Sequence, residues 1–508
     1  MLFLDQLFSN CRHYGDKLAI EFVQTDRTSS ISYRDLEQQV SKAAAYLQRL
    51  GVSEGDRVAL QLPKSLEFIY LHLAAMRLGA ISLPLNPAFP ASELEYFLSD
   101  SEAKVFFADA RTEEGLEPML STLGALQHAI FIDLNKGLDL VAEPSKLPPL
   151  LTNPELTALM IYTSGTTGRP KGAELSHANL TANLSALHEA WQWQEDDVLL
   201  HVLPIFHTHG LMVALHGALH AGASTTLVEK FGAKETLELL LSRRFSVFMA
   251  VPTIHGRLLE EAGKKPYDLS FMRLMTSGSA GLPEDVFAHF KTTFNYTLLE
   301  RYGMTETGMN LSNPYSGERR QGSVGLPLPG VEARVVDPSN ETLLADGEIG
   351  EVQIRGPHVF KGYWRQAQKT AESFTPDGWL RTGDLGLKEK DGYYRLKGRS
   401  KDLIISGGFN VYPPEVELVL AEHPDIAASA VIGCPDKDWG EQVVAVVQAK
   451  PGSSLSEEEV IAFCREHLAN YKAPKLVKVV SDLPRNAMGK VQKNLLRSEF
   501  CQKKTETA

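Results

Sequence analysis

Helical and strand patterns of apolar residues alternate along the first 150 residues of the chain. Residues 33–47 and 65–78 place apolar side chains at helical spacing, whereas 57–62, 81–85 and 105–108 are short apolar runs typical of buried strands. The connections between these segments are short. This order predicts a mostly parallel sheet covered by helices, which is an α/β fold.

Length and hydrophobic content extend this picture to a large enzyme-sized protein. With 508 residues, of which 43% are hydrophobic, the chain is long enough for at least two domains. No uninterrupted apolar run approaches the roughly 20 residues that cross a bilayer. The segment Met1-Leu-Phe-Leu-Asp-Gln-Leu-Phe8 lacks a basic leader and carries Asp5. It therefore predicts an amphipathic first helix rather than a signal peptide, and the cytoplasm is the expected location.

Net charge and cysteine spacing exclude some functions. A formal net charge of −12 argues against a nucleic-acid-binding surface, so individual cations in polar loops become candidates for functional residues. The cysteines fit neither a Cys-x-x-Cys metal site nor a disulfide framework, and all four are predicted to be plain thiols: Cys11, Cys434, Cys464 and Cys501. The composition leaves both a monomer and a dimer open.

A loop rich in glycine and hydroxyl residues occupies positions 163–171, with the sequence Thr-Ser-Gly-Thr-Thr-Gly-Arg-Pro-Lys. Residues 159–162 before it predict a buried strand, and Ser176 after it predicts the N-cap of a helix. Such a loop offers backbone N–H groups, hydroxyls and Lys171 to a polyphosphate. It is not a Walker loop, because two residues separate Gly168 from Lys171.

The string from Thr163 to Gly172 resembles the signature loop of the adenylate-forming superfamily, which includes acyl-CoA synthetases, peptide-synthetase adenylation domains and luciferases. The resemblance covers essentially the whole chain. It implies a large N-terminal domain of layered helices and sheets at 1–398 and a small, mobile α+β C-terminal domain at 399–508. It also implies a ligase that uses ATP, Mg²⁺ and CoA. A carboxylate attacks the α-phosphorus of ATP, and the CoA thiol then displaces AMP from the acyl-adenylate.

The same resemblance assigns ATP contacts to individual residues. In the segment 299–307, Tyr302 is expected to stack on adenine, Thr305 to contact phosphate and Glu306 to hold magnesium, a hard cation that accepts carboxylate and phosphate oxygens. Asp384 matches the carboxylate that accepts the ribose hydroxyls, and Arg399 lies near the ribose in relatives. The remaining predicted contacts lie in the loop: Thr163 as a second magnesium contact, and Ser164, Gly165, Thr166, Thr167, Gly168 and Lys171 for phosphate.

The C-terminal part carries three further motifs of the superfamily. Lys401 matches the hinge residue about which the small domain rotates between the two half-reactions. The glycine pair Gly407-Gly408 matches the loop that lies against the pantetheine arm of CoA, although an ordinary turn is the alternative. Lys490 matches the catalytic lysine expected between the substrate carboxylate and the α-phosphate.

Three segments resemble the walls of the acid-binding pocket. His207 lies where relatives line and gate this pocket, and packing against Phe206 is the alternative role. A metal site at this position is disfavoured because no nearby cysteine or carboxylate completes a ligand set. Residues 248–259 match a strand and loop on one side of the pocket, and Ser277 belongs to a loop that borders the adenine and acid sites.

Arg301 points to the identity of the acid. The strings around it and around His207 resemble malonyl-CoA synthetases, in which this arginine binds the second carboxylate of the substrate and an arginine matching Arg257 assists. A guanidinium group suits a carboxylate because it donates two parallel hydrogen bonds. The alternatives are a structural salt bridge for Arg301 and a solvent-exposed helix position for Arg257. The resemblance thus implies malonate.

Other activities remain open at this point. The motifs also fit an acyl-CoA synthetase for another short- or medium-chain acid, an adenylating enzyme with a different acceptor, or a luciferase-like oxidase. A nucleotide-binding regulator that has lost catalysis would be expected to lack Lys490 or Glu306, and both are present.

Overall fold

The computed structural model describes residues 1–138, 153–163, 169–407, 409–437, 439–486 and 489–501. The chain forms two compact units. The first unit comprises residues 1–333 and 354–380, and the second comprises 334–353 and 381–508. The domain boundary expected at residue 398 falls inside the second unit. It stays a prediction, because compactness alone does not locate a hinge.

Helices of five to 17 residues occur along the whole described chain. The α-helices are α1 Phe3–Tyr14, α2 Tyr33–Arg49, α3 Leu66–Arg77, α4 Ala91–Ser101, α5 Glu113–Leu120, α6 His177–Trp191, α7 Gly217–Ala221, α8 Ala233–Leu241, α9 Pro252–Ala262, α10 Glu284–Phe294, α11 Ala367–Ser373, α12 Pro413–Ala421, α13 Glu457–His467 and α14 Lys493–Phe500. A π-helix spans His209–His216, and short 3₁₀ turns span Ala110–Thr112 and Ser400–Asp402.

The strands alternate with these helices in the first unit and are more closely spaced in the second. They are β1 Leu18–Val23, β2 Thr28–Ser32, β3 Arg57–Gln61, β4 Ile81–Pro84, β5 Val105–Asp109, β6 His128–Ile132, β7 Thr157–Thr163, β8 Lys171–Ser176, β9 Val198–His201, β10 Ser224–Val228, β11 Val247–Ala250, β12 Leu274–Ser277, β13 Leu299–Met304, β14 Gly308–Ser312, β15 Leu326–Pro327, β16 Glu332–Val336, β17 Gly350–Arg355, β18 Gly362–Tyr363, β19 Leu380–Lys388, β20 Tyr394–Arg399, β21 Ile404–Ser406, β22 Phe409–Val411, β23 Ile426–Asp436, β24 Gly440–Ala449 and β25 Leu476–Val480.

Two large sheets form the framework of the first unit. One has the order β15-β14-β13-β12-β11-β9-β10-β1-β2, and its strands from β13 to β1 are parallel. The other has the order β18-β8-β7-β4-β3-β5-β6 and is parallel from β7 to β6. Antiparallel strands lie at both edges of the first sheet and at the β18–β8 edge of the second. The predicted α/β class is confirmed, and apolar runs such as β5, buried at every position, are typical of central parallel strands.

Helix starts follow the local sequence signals. The hydroxyl of Ser65 accepts a hydrogen bond from the Phe68 amide and caps α3, and Ser32 caps α2 in the same way. Ser176 caps α6 as predicted, through a bond from the Asn179 amide. Among the described residues, no helix is both long and apolar enough to cross a membrane.

The second unit is an α+β structure. Most residues of the sheet β16-β17-β19-β20 belong to it, as does the sheet β22-β21-β24-β23, in which β25 lies parallel to β24. Helices α12 and α13 cover the latter sheet with a core that includes Ile404, Val431 and Val460. The expected α+β character of the carboxyl-terminal region is confirmed.

Two of the four cysteines are bonded, which corrects the expectation of four plain thiols. Cys434 in β23 and Cys501 after α14 form a disulfide, whereas Cys11 and Cys464 are buried free thiols. The partners are 67 residues apart in sequence. Helix α14 packs on β23 and brings them together, a contact that cysteine spacing does not reveal.

Candidate active site

The two ends of the predicted phosphate loop lie opposite each other. Thr163 ends β7 and pairs with Lys171 at the start of β8 in an antiparallel register. The strand predicted before the loop is therefore confirmed. The loop candidates between them, Ser164, Gly165, Thr166, Thr167 and Gly168, lie outside the described residues, and their contacts with phosphate stay predictions.

A tyrosine connects Lys171 to Glu306. The Tyr363 hydroxyl donates a hydrogen bond of 2.8 Å to Oε1 of Glu306, and the Lys171 ammonium lies 3.9 Å from the centre of the Tyr363 ring. Burial lowers the pKa of Lys171, and the nearby Glu306 charge partly opposes this shift. The candidate magnesium ligand and the candidate phosphate-binding lysine therefore share one neighbour. Sequence analysis does not single out Tyr363.

The surroundings of Glu306 fit a magnesium ion that arrives with ATP. The side chain is 7% exposed in the turn between β13 and β14, and its Oε2 has no protein hydrogen bond within the described chain. Those residues contain no cluster of three metal-ligating side chains. Magnesium suits such a place because it needs few protein ligands and takes its others from phosphate and water. Glu306 and Thr163 remain the residues predicted to hold it.

The candidate adenine and phosphate contacts flank Glu306. Tyr302 lies in β13 with most of its side chain buried, and Thr305 lies partly buried in the turn before Glu306. Tyr302 and Arg301 are neighbours in the same strand, so their side chains project to opposite faces of the sheet. The adenine-stacking and phosphate roles of Tyr302 and Thr305 stay predictions.

Arg301 is a buried cation without a protein counter-ion. It is 2% exposed, and its Nε and Nη2 have no hydrogen-bond partner. In the described part of the chain, no carboxylate lies within salt-bridge distance of it, which disfavours the structural salt bridge considered above. Burial lowers its pKa to about 9, so the group is still a cation at neutral pH.

Gly278 makes room for this guanidinium group. A Cβ atom at Gly278 would lie 2.5 Å from Cζ and 2.6 Å from Nε of Arg301. Atoms this close cannot coexist without a shift, so any side chain at 278 would displace the arginine. The position of Arg301 thus depends on a glycine in the loop that follows β12.

Other buried polar atoms near Arg301 also lack partners. Ser277, which precedes Gly278, has an unpaired hydroxyl, and so does Thr276. His209 bonds Ser279 through Nδ1 at 3.2 Å while its Nε2 is unpaired. Burial, and next the charge of Arg301, holds the pKa of His209 well below its usual range. Buried polar groups are normally paired, so this concentration of unpaired donors and acceptors indicates a ligand cavity.

The other pocket candidates differ from one another in exposure. His207 is partly buried with its ring 4.9 Å from that of Phe206, and burial lowers its pKa to about 4, so it is neutral at pH 7. Arg257 is exposed, as its solvent-facing alternative anticipates, and its helper role stays a prediction without structural support. Of the strand and loop expected at 248–259, the strand is confirmed as β11. The loop is wrong, because Pro252 at the first helical position starts α9 directly afterwards, and Arg257 lies on this helix as its alternative anticipates.

The second unit brings several candidates together. Asp384 in β19 pairs in register with Arg399 in β20, and its carboxylate accepts a 2.6 Å bond from Nε of Arg399. The Lys490 amide donates to Oδ1 of Asn486 and closes a tight turn. Burial, and next the charge of Arg399, lowers the pKa of Lys490, while Asp384 opposes the shift. Ribose binding by Asp384 and catalysis by Lys490 stay predictions.

Gly407 occupies the turn between β21 and β22. Its φ is +59°, and its amide donates a 2.8 Å bond to the Trp439 carbonyl. A Cβ there would lie 2.8 Å from Cε3 of Trp439, so both conformation and space require glycine. Gly408 lies outside the described residues. Strands β21 and β22 form a β-hairpin around this turn, and its contact with CoA stays a prediction.

Comparison with known proteins identifies the family. Residues 7–364 match the AMP-binding enzyme model, and residues 415–490 match the AMP-binding enzyme C-terminal domain. The chain belongs to the AMP-binding enzyme family. Within that family, it is 38% identical to the mitochondrial malonate–CoA ligase of Homo sapiens, over 97% of this chain and 92% of the human protein.

Other AMP-binding enzymes of known structure or activity are similar over nearly the whole chain. ATP-bound MatB from Rhodopseudomonas palustris has 42% identity and a TM-score of 0.91, with 99% of each chain covered. The oxalate–CoA ligase of Arabidopsis thaliana is 35% identical over 93% of this chain and 94% of its own length. These matches confirm the expected superfamily.

Proposed function

We propose that this AMP-binding enzyme joins malonate to CoA, with ATP cleaved to AMP and pyrophosphate. The observation that carries the proposal is Arg301, a cation buried beside unpaired polar groups and without a protein carboxylate at salt-bridge distance in the described residues. Malonate activates one carboxylate and leaves the second free. That second carboxylate is the partner that Arg301 lacks.

The energetics favour a diacid over a fatty acid. Leaving a buried charge without a partner costs several kcal/mol, and a carboxylate can return much of this cost through two parallel charge-assisted bonds. A monoacid in the pocket would leave the charge of Arg301 without a partner. The similarity to the human malonate–CoA ligase and to MatB supports malonate in particular. Methylmalonate is expected to be a weaker substrate, and acetate and longer monoacids poor ones.

The remaining candidates supply adenylation and thioester formation. Magnesium held by Glu306 and Thr163 would neutralise charge on the ATP phosphates. Lys171 and the loop hydroxyls hold the β- and γ-phosphates, Tyr302 and Asp384 orient adenine and ribose, and Lys490 stabilises charge as the carboxylate attacks the α-phosphorus. Removing one such group commonly costs about 3 to 4 kcal/mol.

The second half-reaction is assigned to the carboxyl-terminal part of the chain. Gly407 and Gly408 would admit the pantetheine arm of CoA, whose thiol then displaces AMP. The hinge role of Lys401 and the domain boundary at 398 belong to this proposal. The predicted compartment remains the cytoplasm, although the animal relatives are named as mitochondrial enzymes.

Two assays test the type of reaction and the identity of the acid separately. The enzyme is incubated with ATP, Mg²⁺ and malonate, with and without CoA, and the nucleotides are separated. AMP and pyrophosphate are expected, whereas ADP and inorganic phosphate would refute the ligase chemistry. A panel of malonate, methylmalonate, oxalate, succinate, acetate and octanoate then tests the acid.

The substrate test uses Arg301→Met, with Arg34→Met as a matched control because Arg34 is exposed and pairs with Asp16. Loss of a charge-assisted hydrogen bond of about 1.5–3 kcal/mol lowers kcat/KM for malonate roughly 10- to 150-fold. Activity with acetate should change little. A wild-type preference for a monoacid, or an intact malonate preference in Arg301→Met, would overturn the substrate assignment and leave the ligase assignment standing.

A further inference from the structure

We propose that Tyr363 is a positioning residue that keeps the Glu306 carboxylate available to magnesium and holds Lys171 apart from it. The inference rests on the proposed function, since it concerns the MgATP of that reaction. Its physical basis is that one aromatic side chain contacts both groups by different means. The hydroxyl donates to Glu306 at 2.8 Å, and the ring centre lies 3.9 Å from the Lys171 ammonium.

The backbone fixes Tyr363 to the strand that carries Lys171. Tyr363 in β18 pairs with Ala173 in β8, two residues beyond Lys171. The Tyr363 amide donates a 2.9 Å bond to the hydroxyl of Thr370 in α11. These contacts fix the backbone of Tyr363 relative to the strand that carries Lys171.

The same segment is attached to the turn that carries Glu306. The Phe360 amide donates a 2.8 Å bond to the Glu306 carbonyl, and the Phe360 ring makes an edge contact with Tyr363 at 4.9 Å between ring centres. Tyr363 thus lies in a strand that is anchored on one side to β8 and, through Phe360, to the turn that carries Glu306. In this geometry the Tyr363 hydroxyl contacts Oε1 of Glu306.

The charges explain why such a residue is needed. Lys171 and Glu306 both contact Tyr363, yet no salt bridge between them is formed in the described structure. A direct pair would use the carboxylate that magnesium requires and the ammonium that phosphate requires. Tyr363 satisfies one oxygen with a neutral donor and the ammonium with a ring face, which leaves Oε2 of Glu306 for the metal.

The first experiment compares Tyr363→Phe with Tyr33→Phe. Tyr33 is a matched control, because its buried hydroxyl also makes a hydrogen bond, to the Ala223 carbonyl at 2.7 Å. Mn²⁺ binding is measured by electron paramagnetic resonance with a non-hydrolysable ATP analogue, and the Mg²⁺ dependence of AMP formation is measured separately. Loss of a group that supports a metal ligand typically weakens metal affinity roughly 10- to 100-fold.

We therefore expect Tyr363→Phe to bind Mn²⁺ about 10-fold more weakly and to need about 10-fold more Mg²⁺, with KM for malonate unchanged. Tyr33→Phe should keep wild-type metal affinity even if it unfolds more easily. Wild-type Mn²⁺ affinity in Tyr363→Phe, or an equal loss in both variants, would overturn the proposal. A failure of the malonate assignment would appear instead in the substrate panel of the wild type.

A double-mutant cycle tests whether Tyr363 acts through Glu306. In the Glu306→Gln background the phenol has no carboxylate to position, so adding Tyr363→Phe should change Mn²⁺ affinity less than about 2-fold. Additive losses in the double variant would show that Tyr363 acts by another route. The Mn²⁺ affinity distinguishes the two outcomes without a measurement of turnover.

Discussion

Gly278→Ala should impair malonate recognition by displacing Arg301. The added Cβ would lie 2.5–2.6 Å from Cζ, Nε and Nη1 of Arg301, which is shorter than any normal van der Waals contact. Gly278 does not have a positive φ, so alanine is tolerated by the backbone and the collision is the main effect. Because Arg301 is almost fully surrounded by protein, it can relieve the collision only by leaving its present position.

The size of the effect follows from the bonds that would be lost. A hydrogen bond to a charged group contributes about 1.5–3 kcal/mol. Losing one between Arg301 and the distal carboxylate of malonate lowers kcat/KM roughly 10- to 150-fold. The loss should appear mainly as a higher KM if the distal carboxylate is bound equally in ground and transition states. Acetate, which lacks that carboxylate, should be affected much less.

Gly281→Ala is the control, because a Cβ at Gly281 has no atom within 4 Å and Gly281 lies in the same loop. Initial rates of pyrophosphate release are measured with malonate and acetate for both variants, and folding is checked by thermal denaturation. Near-wild-type kcat/KM for malonate in a folded Gly278→Ala enzyme would refute the reasoning. An equal loss in Gly281→Ala would assign the effect to the loop rather than to Arg301.

Further predictions concern catalysis, pH and the disulfide. Lys490→Ala should lose about 10²- to 10³-fold in adenylation but much less in thioester formation from preformed malonyl-adenylate and CoA; equal losses in the two half-reactions would contradict this. His201 has its pKa lowered to about 3 by burial, so it is neutral when folded. In the unfolded chain this histidine has a pKa of about 6.5, so below that pH the unfolded state gains a proton that the folded state does not. The free energy of unfolding therefore falls as pH drops from about 6.5 towards 3, by about 2 kcal/mol at pH 5. The free energy of urea unfolding of His201→Gln should depend less on pH over this range than that of the wild type. Removing the 434–501 bond with Cys434→Ser should cost about 2–4 kcal/mol, measured as a lower Tm than the wild type under oxidising conditions and no difference after reduction.

Local sequence signals are sufficient for much of the fold. Helices α2 and α3 begin within one residue of the start that apolar periodicity predicts, and α6 begins after Ser176, its predicted N-cap. Continuous apolar runs correctly indicate parallel strands. The segment after β11 is wrongly predicted as a loop, although Pro252 is a favoured residue at the first helical position. The family resemblance indicates that this segment lines the pocket but does not specify its secondary structure. The proline at position 252 is the better predictor of the helix.

Contacts between distant residues are the part that sequence cannot supply. Glu306 and Arg301 are found from a short string, because their neighbours in sequence mark them. Tyr363 lies in no motif that the sequence analysis identifies, and Gly278 lies in the loop of Ser277 without being singled out. The importance of each depends on its approach to a residue 57 or 23 positions away, respectively. The disulfide has the same origin, since packing of α14 on β23 determines it. Sequence patterns report periodicity and local motifs, not which side chains meet across a fold.

The way in which the protein pairs another buried arginine strengthens the case for a carboxylate ligand at Arg301. Arg273 is largely buried and donates two bonds to Asp197, at 2.8 and 2.5 Å, so folding supplies its counter-ion from the chain. Arg301 is more deeply buried, and no acidic residue forms a salt bridge with it in the described structure. Folding must therefore bear the desolvation of Arg301 without compensation. An anion that enters the pocket removes this cost only when it binds, which gives a diacid an advantage that a monoacid of equal size does not have.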